Sequence, residues 1–173
     1  MKKLFRYLSI FPALFMLFII FGFSAQDGAA SGSLSYRVCL SLLSFFDRIF
    51  SLNVPASTFP ACAEAMQLWV RKAAHVTEYF LLTLSIFLPL RVWIHGKSVK
   101  SPRTCFLSRY IIPTFLLSVL FASLDEFHQT FVPGRCGTPV DVLVDSIGII
   151  TGCILLTLCH RHTGKKQDRL NHS

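Results

Sequence analysis

The chain predicts an all-α fold: a polytopic membrane helical bundle of about four transmembrane helices plus an interfacial helix. Three observations predict it. Of 173 residues, 53% are hydrophobic and 17 are Phe, and the mean hydropathy is +0.55, too apolar for a soluble domain of this size. Four apolar stretches reach the roughly 17–25 residues that cross a bilayer at 1.5 Å rise per residue. The basic residues, which set a net charge of +8, fall in short clusters flanking those stretches. They form no patch interleaved with aromatics, which argues against nucleic acid as a partner and makes them a topology signal instead.

The first span runs from about Tyr7 to Phe23. Its basic start resembles a signal peptide, but its apolar core exceeds the usual 7–15 residues. Phe23 is also too bulky for the −3 position of a cleavage after Ala25, so a retained span is expected. Ser24 to Ser35 is a Gly/Ser/Ala-rich turn region. Leu34, Val38, Leu42, Phe45 and Ile49 then make a stripe at spacings of three and four. A helix over residues 34–50 that lies at the membrane surface or dips into it fits this stripe. A fifth span there is disfavoured by Arg37, Asp47 and Arg48. The second span runs from about Lys72 to Ile94, the third from Tyr110 to Val132 and the fourth from Val140 to His160. Residues 1–160 thus form one transmembrane domain, and residues 161–173 a basic cytoplasmic tail that is solvated or touches lipid headgroups.

Orientation follows from the Lys and Arg residues. Lys2, Lys3, Arg6, Arg91, Lys97, Lys100, Arg103, Arg109, Arg161, Lys165, Lys166 and Arg169 fall on one side of a four-span bundle. Arg37, Arg48, Arg71, Lys72 and Arg135 fall on the other. The positive-inside rule puts both termini in the cytoplasm. The six Cys show neither CxxC pairing nor zinc-type spacing. Cys153 and Cys159 are expected as small apolar residues. A disulfide among Cys39, Cys62 and Cys136 is left open, because reach is not legible in sequence.

Five of the nine acidic residues, Glu78, Asp125, Glu126, Asp141 and Asp145, sit inside the spans. A carboxylate in hydrocarbon costs about 2.5–3.5 kcal/mol on insertion scales, so such residues face a bundle interior and mark a site. Lys72, His75 and Tyr79 share a face at i, i+3 and i+7, with Glu78 about 60° from His75. Asp125, His128 and Gln129 share a face of the third span, and Glu126 points about 100° away, toward a different neighbour. Asp141 and Asp145 continue into Gly148 and Gly152, a small-xxx-small packing surface. Glu78, Asp125 and Asp145 lie within roughly 10 Å of the outer ends of their spans. The connector Pro133 to Pro139 is on the same side, so the polar groups converge near the outer leaflet.

Five carboxylates there face two permanent cations, Lys72 and Arg135. Protonated carboxyls, a basic ligand or a divalent metal would supply the missing positive charge. His75, Glu78, Asp125, His128 and Asp145 are the candidate metal ligands.

The same residues carry a family resemblance. Phe23-Ser24-Ala25-Gln26 with Ser31 and Ser35 form a first motif, and Lys72-Ala73-Ala74-His75 with Tyr79 a second. Ser123-Leu124-Asp125-Glu126-Phe127-His128-Gln129, Gly134-Arg135, Asp141, Asp145, Gly148 and Gly152 form a third block. In this order they resemble the VanZ-like family of bacterial integral membrane proteins. The resemblance implies a multi-pass protein of the bacterial cytoplasmic membrane, related to one associated with resistance to teicoplanin-type glycopeptides. It implies candidate site residues without roles: Gln26, Lys72, His75, Tyr79, Asp125, Glu126, His128, Gln129, Arg135, Asp141 and Asp145.

Two classes of function follow. One is an enzyme or binding protein whose outward polar site takes an envelope precursor or a lipoglycopeptide. Asp125 would serve as general base or ligand, His75 and His128 as acid/base or ligands, and Arg135 as anion contact. No serine nucleophile elbow, HExxH or phosphate-binding loop singles out a reaction. The other class is a small proton- or cation-coupled transporter, or a scaffold for an envelope enzyme whose polar core serves assembly alone. The absence of an inverted repeat and the one-sided placement of the polar residues count against transport.

Overall fold

A computed structural model describes residues 2–94 and 106–171. Lys97, Lys100 and Arg103 of the basic connector, and the side chains of the tail from residue 164 onward, lie outside the described residues. The described chain is helical, with no strand. Helices α1 (Lys2–Leu8) and α2 (Phe11–Ser24) together make the first span. Pro12 has no amide hydrogen to give, so the helical ladder breaks at Ser9–Ile10 just before it. Helix α3 (Gly28–Phe50) and helix α4 (Phe59–Ile94) follow. Helix α5 (Ile112–Gln129) is preceded by a π turn, Leu107–Ile111, and α6 runs from Pro139 to Asn171. Four helical stretches are long and apolar enough to cross a membrane: Lys3–Ser24, Ala56–Ile94, Leu107–Gln129 and Pro139–Thr163.

Helix α4 is the hub, packed by α2, α3, α5 and α6. The small residues of α6 explain how close its backbone comes. A Cβ on Gly148 would stand 2.1 Å from the Val76 carbonyl oxygen, and one on Gly152 would meet Thr83. The face of α6 that carries Asp141 and Asp145 is therefore the face against α4. Thr83 Oγ1 bridges to Ser118 Oγ at 3.2 Å, a buried bond from α4 to α5. At the end remote from the 130–138 connector, Phe106 stacks on His160 at 3.7 Å and meets Phe87 and Tyr110. Trp93 donates to the Arg6 carbonyl there at 3.0 Å. Outward, the spans show large apolar side chains such as Phe18, Leu116, Leu143 and Ile154, the surface a lipid solvent requires.

The second span differs from the sequence expectation. It begins at Phe59, well before Lys72, because nothing breaks the helix: Pro60 sits in the first turn, where proline is tolerated, and Ala61, Ala63 and Ala65 are strong helix formers. Phe59 to Arg71 add roughly 20 Å at 1.5 Å per residue. Helix α3 returns alongside this extension as the other arm of a hairpin. Its start is fixed by Asp27, whose Oδ1 accepts from the Ala30 amide at 2.6 Å, a side-chain N-cap. Ser31 and Cys39 are buried, whereas Leu34, Val38, Leu42, Phe45 and Ile49 are 39–57% exposed. The Leu42, Phe45 and Ile49 part of the stripe therefore points away from α4, as a helix lying against lipid needs, whereas Leu34 and Val38 border a cavity against α4. Helix α3 does not reach the apolarity of the four spans.

Candidate functional site

The polar residues meet at the end of the bundle that holds the 130–138 connector. Asp125 is fully buried on α5. Its Oδ2 accepts from Ser24 Oγ at 2.9 Å and from Gln129 Nε2 at 3.2 Å. Its Oδ1 is buried without a hydrogen-bond partner, and the fully buried Tyr79 hydroxyl sits beside the carboxylate, also short of a bond. Gln129 Nε2 lies near Ser24 Oγ and Glu126 Oε1 as well, at 3.1 and 3.2 Å. On the other side of that amide, Oε1 accepts from Arg135 Nη1 at 3.3 Å. Acceptors on one side and a guanidinium on the other fix the amide's orientation.

Arg135 also ties the connector to α2. Its Nε donates to the Gln26 carbonyl at 3.0 Å and its Nη2 to the Phe23 carbonyl at 2.9 Å. Those carbonyls lie at a helix C-terminus, where a cation complements the helix dipole; the Phe23 carbonyl also accepts from the Gln26 amide at 3.2 Å. Burial, and then the nearby Arg71 cation, lower the pKa of the Arg135 guanidinium. The turn beneath is tight. Gly134 has φ +71°, and a Cβ on Gly28 would stand 2.1 Å from the Gly134 carbonyl oxygen. The Gly28 amide donates to the Pro133 carbonyl at 2.9 Å.

Glu126 is where the structure departs most from the helical-wheel expectation. It is buried, its Oε1 faces Gln129, and its Oε2 accepts from the Thr138 amide at 3.1 Å. The 100° offset from Asp125 aims it at the connector, which folds over α5 and brings Glu126 back into the cluster. On α4 and α6, His75 Nδ1 and Asp145 Oδ1 stand 3.5 Å apart, an ion-pair distance without a hydrogen bond. Lys72 Nζ pairs with Asp141 Oδ1 at 3.4 Å, and Thr138 Oγ1 donates to Asp141 Oδ2 at 2.8 Å.

Two cavities open here. One, of about 270 Å³, has Arg71, Lys72 and Arg135 as its cations, with His75, Glu126, Gln129, Asp141 and Asp145 completing its polar wall. The other, of about 160 Å³, runs between α3 and α4 and is walled chiefly by Phe23, Leu34, Val38, Val70 and Ala74, with Glu78 at its edge. Arg71, His75 and Arg135 line both.

Of the residues singled out in the sequence, Lys72, His75, Asp125, Glu126, Gln129, Arg135, Asp141 and Asp145 are brought together. Gln26 contributes its backbone carbonyl and a wall of the apolar cavity. His128 is not brought in. It is half-buried against the Phe21 ring, 5.9 Å between centroids, and lines neither cavity. It sits one helical step to the far side of Asp125, where α2 covers it. The candidate metal ligands are correspondingly regrouped: His75, Asp125 and Glu126 can bring one ligand atom each within 4.8 Å of the others. Glu78, His128 and Asp145 fall outside that group. Sequence reasoning missed Ser24, Arg71 and Thr138. Ser24 stood in the first motif and was readable there, whereas Arg71 read only as a topology charge and Thr138 as part of a turn. Among the described residues no disulfide joins any cysteine.

No curated protein and no solved structure matches the chain. The VanZ/LLP1 family model matches residues 9–160. That match takes in every helix that builds the polar cluster, and with the four membrane-length helices it shows that the chain is a membrane protein belonging to the VanZ/LLP1 family.

Proposed function

We propose that this protein works at the outer face of the bacterial cytoplasmic membrane, where its polar site holds the anionic headgroup of an envelope amphiphile such as a lipid-linked precursor. The observation that carries this reading is the pairing of a polar with an apolar cavity through shared residues Arg71, His75 and Arg135. Arg71 and Arg135 supply planar, permanently charged donors suited to a phosphate. The groove between α3 and α4 suits the first part of an aliphatic chain, with lipid beyond the exposed stripe of α3 taking the rest. The outward orientation rests on the asymmetric Lys and Arg distribution. His75 and Asp145 stand where a proton could be taken from or given to a headgroup. A lipid-linked precursor is also what a glycopeptide antibiotic meets at this face, which connects the site to the teicoplanin-type resistance that the family resemblance implies.

The test is thermal unfolding of the purified protein in detergent with three probes: a polyprenyl phosphate, the matching uncharged polyprenol and inorganic phosphate. The polyprenyl phosphate is expected to raise the unfolding midpoint most, and Arg71→Ala to abolish the difference between it and the polyprenol. Equal shifts from phosphate and polyprenol, or a full response in Arg71→Ala, would overturn the reading.

A further inference from the structure

We propose that His75, Asp125 and Glu126 bind a divalent transition-metal ion beside the polar cavity, whose wall includes His75 and Glu126 while the fully buried Asp125 lies behind it, with Asp145 orienting the imidazole. Three observations converge on it. The first is geometric: one ligand atom from each residue lies within 4.8 Å of the other two. Zinc-type bonds of about 2.0–2.2 Å place tetrahedral donors roughly 3.5 Å apart, so side-chain closure of about an ångström forms the site.

The second observation is unmet bonding. Asp125 Oδ1 is buried with no hydrogen-bond partner, on a residue that is 0% exposed; His75 Nδ1 and Asp145 Oδ1 also lack a hydrogen bond but face each other at 3.5 Å, on an aspartate that is 1% exposed. Orphaned buried polar atoms are costly, and charged ones more so. The surrounding bonds look arranged for a ligand. Ser24 and Gln129 occupy Asp125 Oδ2 and leave Oδ1 without a hydrogen bond, the Tyr79 hydroxyl standing beside the carboxylate. Gln129 and the Thr138 amide fix Glu126. Outer-shell bonds of this kind hold metal ligands in position, and a carboxylate beside a histidine is their commonest form.

The third observation is charge. Lys72 is paired with Asp141, and Arg135 donates to the carbonyl oxygens of Phe23, Gln26 and Gln129. Among the described residues no Lys or Arg pairs with Asp125, Glu126 or Asp145, and His75 is the sole basic group that does. Three buried carboxylates with one imidazole call for a dication. One nitrogen and two or more carboxylate oxygens, with no thiolate, suit zinc or manganese; they do not suit copper(I), and the imidazole disfavours magnesium. The ion would face whatever anion Arg71 and Arg135 hold, but its binding does not depend on the identity of that anion.

Wild type, His75→Ala, Asp125→Asn and the surface control Glu64→Gln would be purified without chelator from cells supplied with zinc and manganese, and their metal content measured by mass spectrometry. About one equivalent of one metal per chain is expected in wild type and Glu64→Gln, from the one three-ligand group among the described residues, with at least a fivefold loss in the other two. A second arm needs no variant. Chelator should lower the unfolding midpoint of wild type, and zinc or manganese, but not magnesium, should restore it. Substoichiometric metal in wild type together with no response to chelator or to added zinc and manganese would overturn the site. So would full metal retention in His75→Ala and Asp125→Asn.

Discussion

Asp125 is the residue on which the cluster turns, because its two oxygens have different tasks. Oδ2 is held by Ser24 and Gln129, and Oδ1, with the Tyr79 hydroxyl beside the carboxylate, makes no hydrogen bond. Ser24 is the less obvious half of that arrangement. Ser24→Ala removes the donor of a buried charge-assisted bond and is expected to cost about 1.5–3 kcal/mol, read as a lowered unfolding midpoint in detergent. Arg135 makes a different kind of demand. Its bonds leave from Nε, Nη1 and Nη2 to three separate carbonyl oxygens, a fork that a lysine ammonium does not reproduce. Arg135→Lys is therefore expected to destabilise nearly as much as Arg135→Ala in the same unfolding assay. Near-complete rescue by lysine would show that charge alone matters there. Asp125 and Gln129 were legible in sequence because polar residues in apolar spans are conspicuous, and Arg135 because it is the one cation of a short Gly-flanked connector. Glu126 was misplaced because a helical wheel knows only its own helix, and the connector that covers Glu126 is not part of it.

At the scale of elements, the spans and their polar faces were readable from periodicity, and the face of α6 with Gly148 and Gly152 packs as expected. Substituting Gly148 by Val puts a branched side chain where a Cβ already meets the Val76 carbonyl at 2.1 Å. Overpacking of this kind costs about 1–3 kcal/mol, and α4 cannot retreat without parting His75 from Asp145. Gly148→Val should lower both the amount of folded protein and any metal bound, whereas Gly22→Val, at a glycine with open space around it, should change neither. The long N-terminal extension of α4 was not legible. Arg71 and Lys72 marked the end of hydrocarbon, and the sequence beyond offered neither a breaker nor a continuous apolar run. The hairpin matters for the site all the same, since α3 supplies Leu34 and Val38 to the apolar cavity. Polar replacement of the exposed Phe45 and Ile49, which touch no part of the site, should weaken membrane contact without loss of bound metal. Spin labels on this stripe, read for oxygen accessibility, check it: lipid-like accessibility supports the interfacial placement, and water-like accessibility contradicts it.

For the whole molecule, the bundle gathers its buried carboxylates at one end and its aromatic packing, with Phe87, Phe106, Tyr110 and His160, at the other. On the orientation proposed from the charge asymmetry, the polar end faces outward. Two native thiols read the orientation directly, because Cys136 and Cys159 are both exposed and lie at opposite ends. In variants retaining one or the other, a membrane-impermeant maleimide applied to intact cells should label Cys136 and spare Cys159. The reverse pattern would invert the orientation. The central claim is that the buried cluster is a working site and not merely the polar glue of a helical bundle. Asp125→Asn tests it most directly, since the amide keeps the shape of the side chain and removes its charge. Cells carrying this variant as their sole copy would be compared with wild type for survival under a teicoplanin-type glycopeptide, with the amount of folded membrane protein measured in the same samples. The account predicts folded protein within about twofold of wild type, since a loss of a few kcal/mol still leaves most of the protein folded, and a resistance level no better than that of the deletion strain. Undiminished resistance at normal abundance, or a loss of resistance that tracks a loss of folded protein, would contradict it.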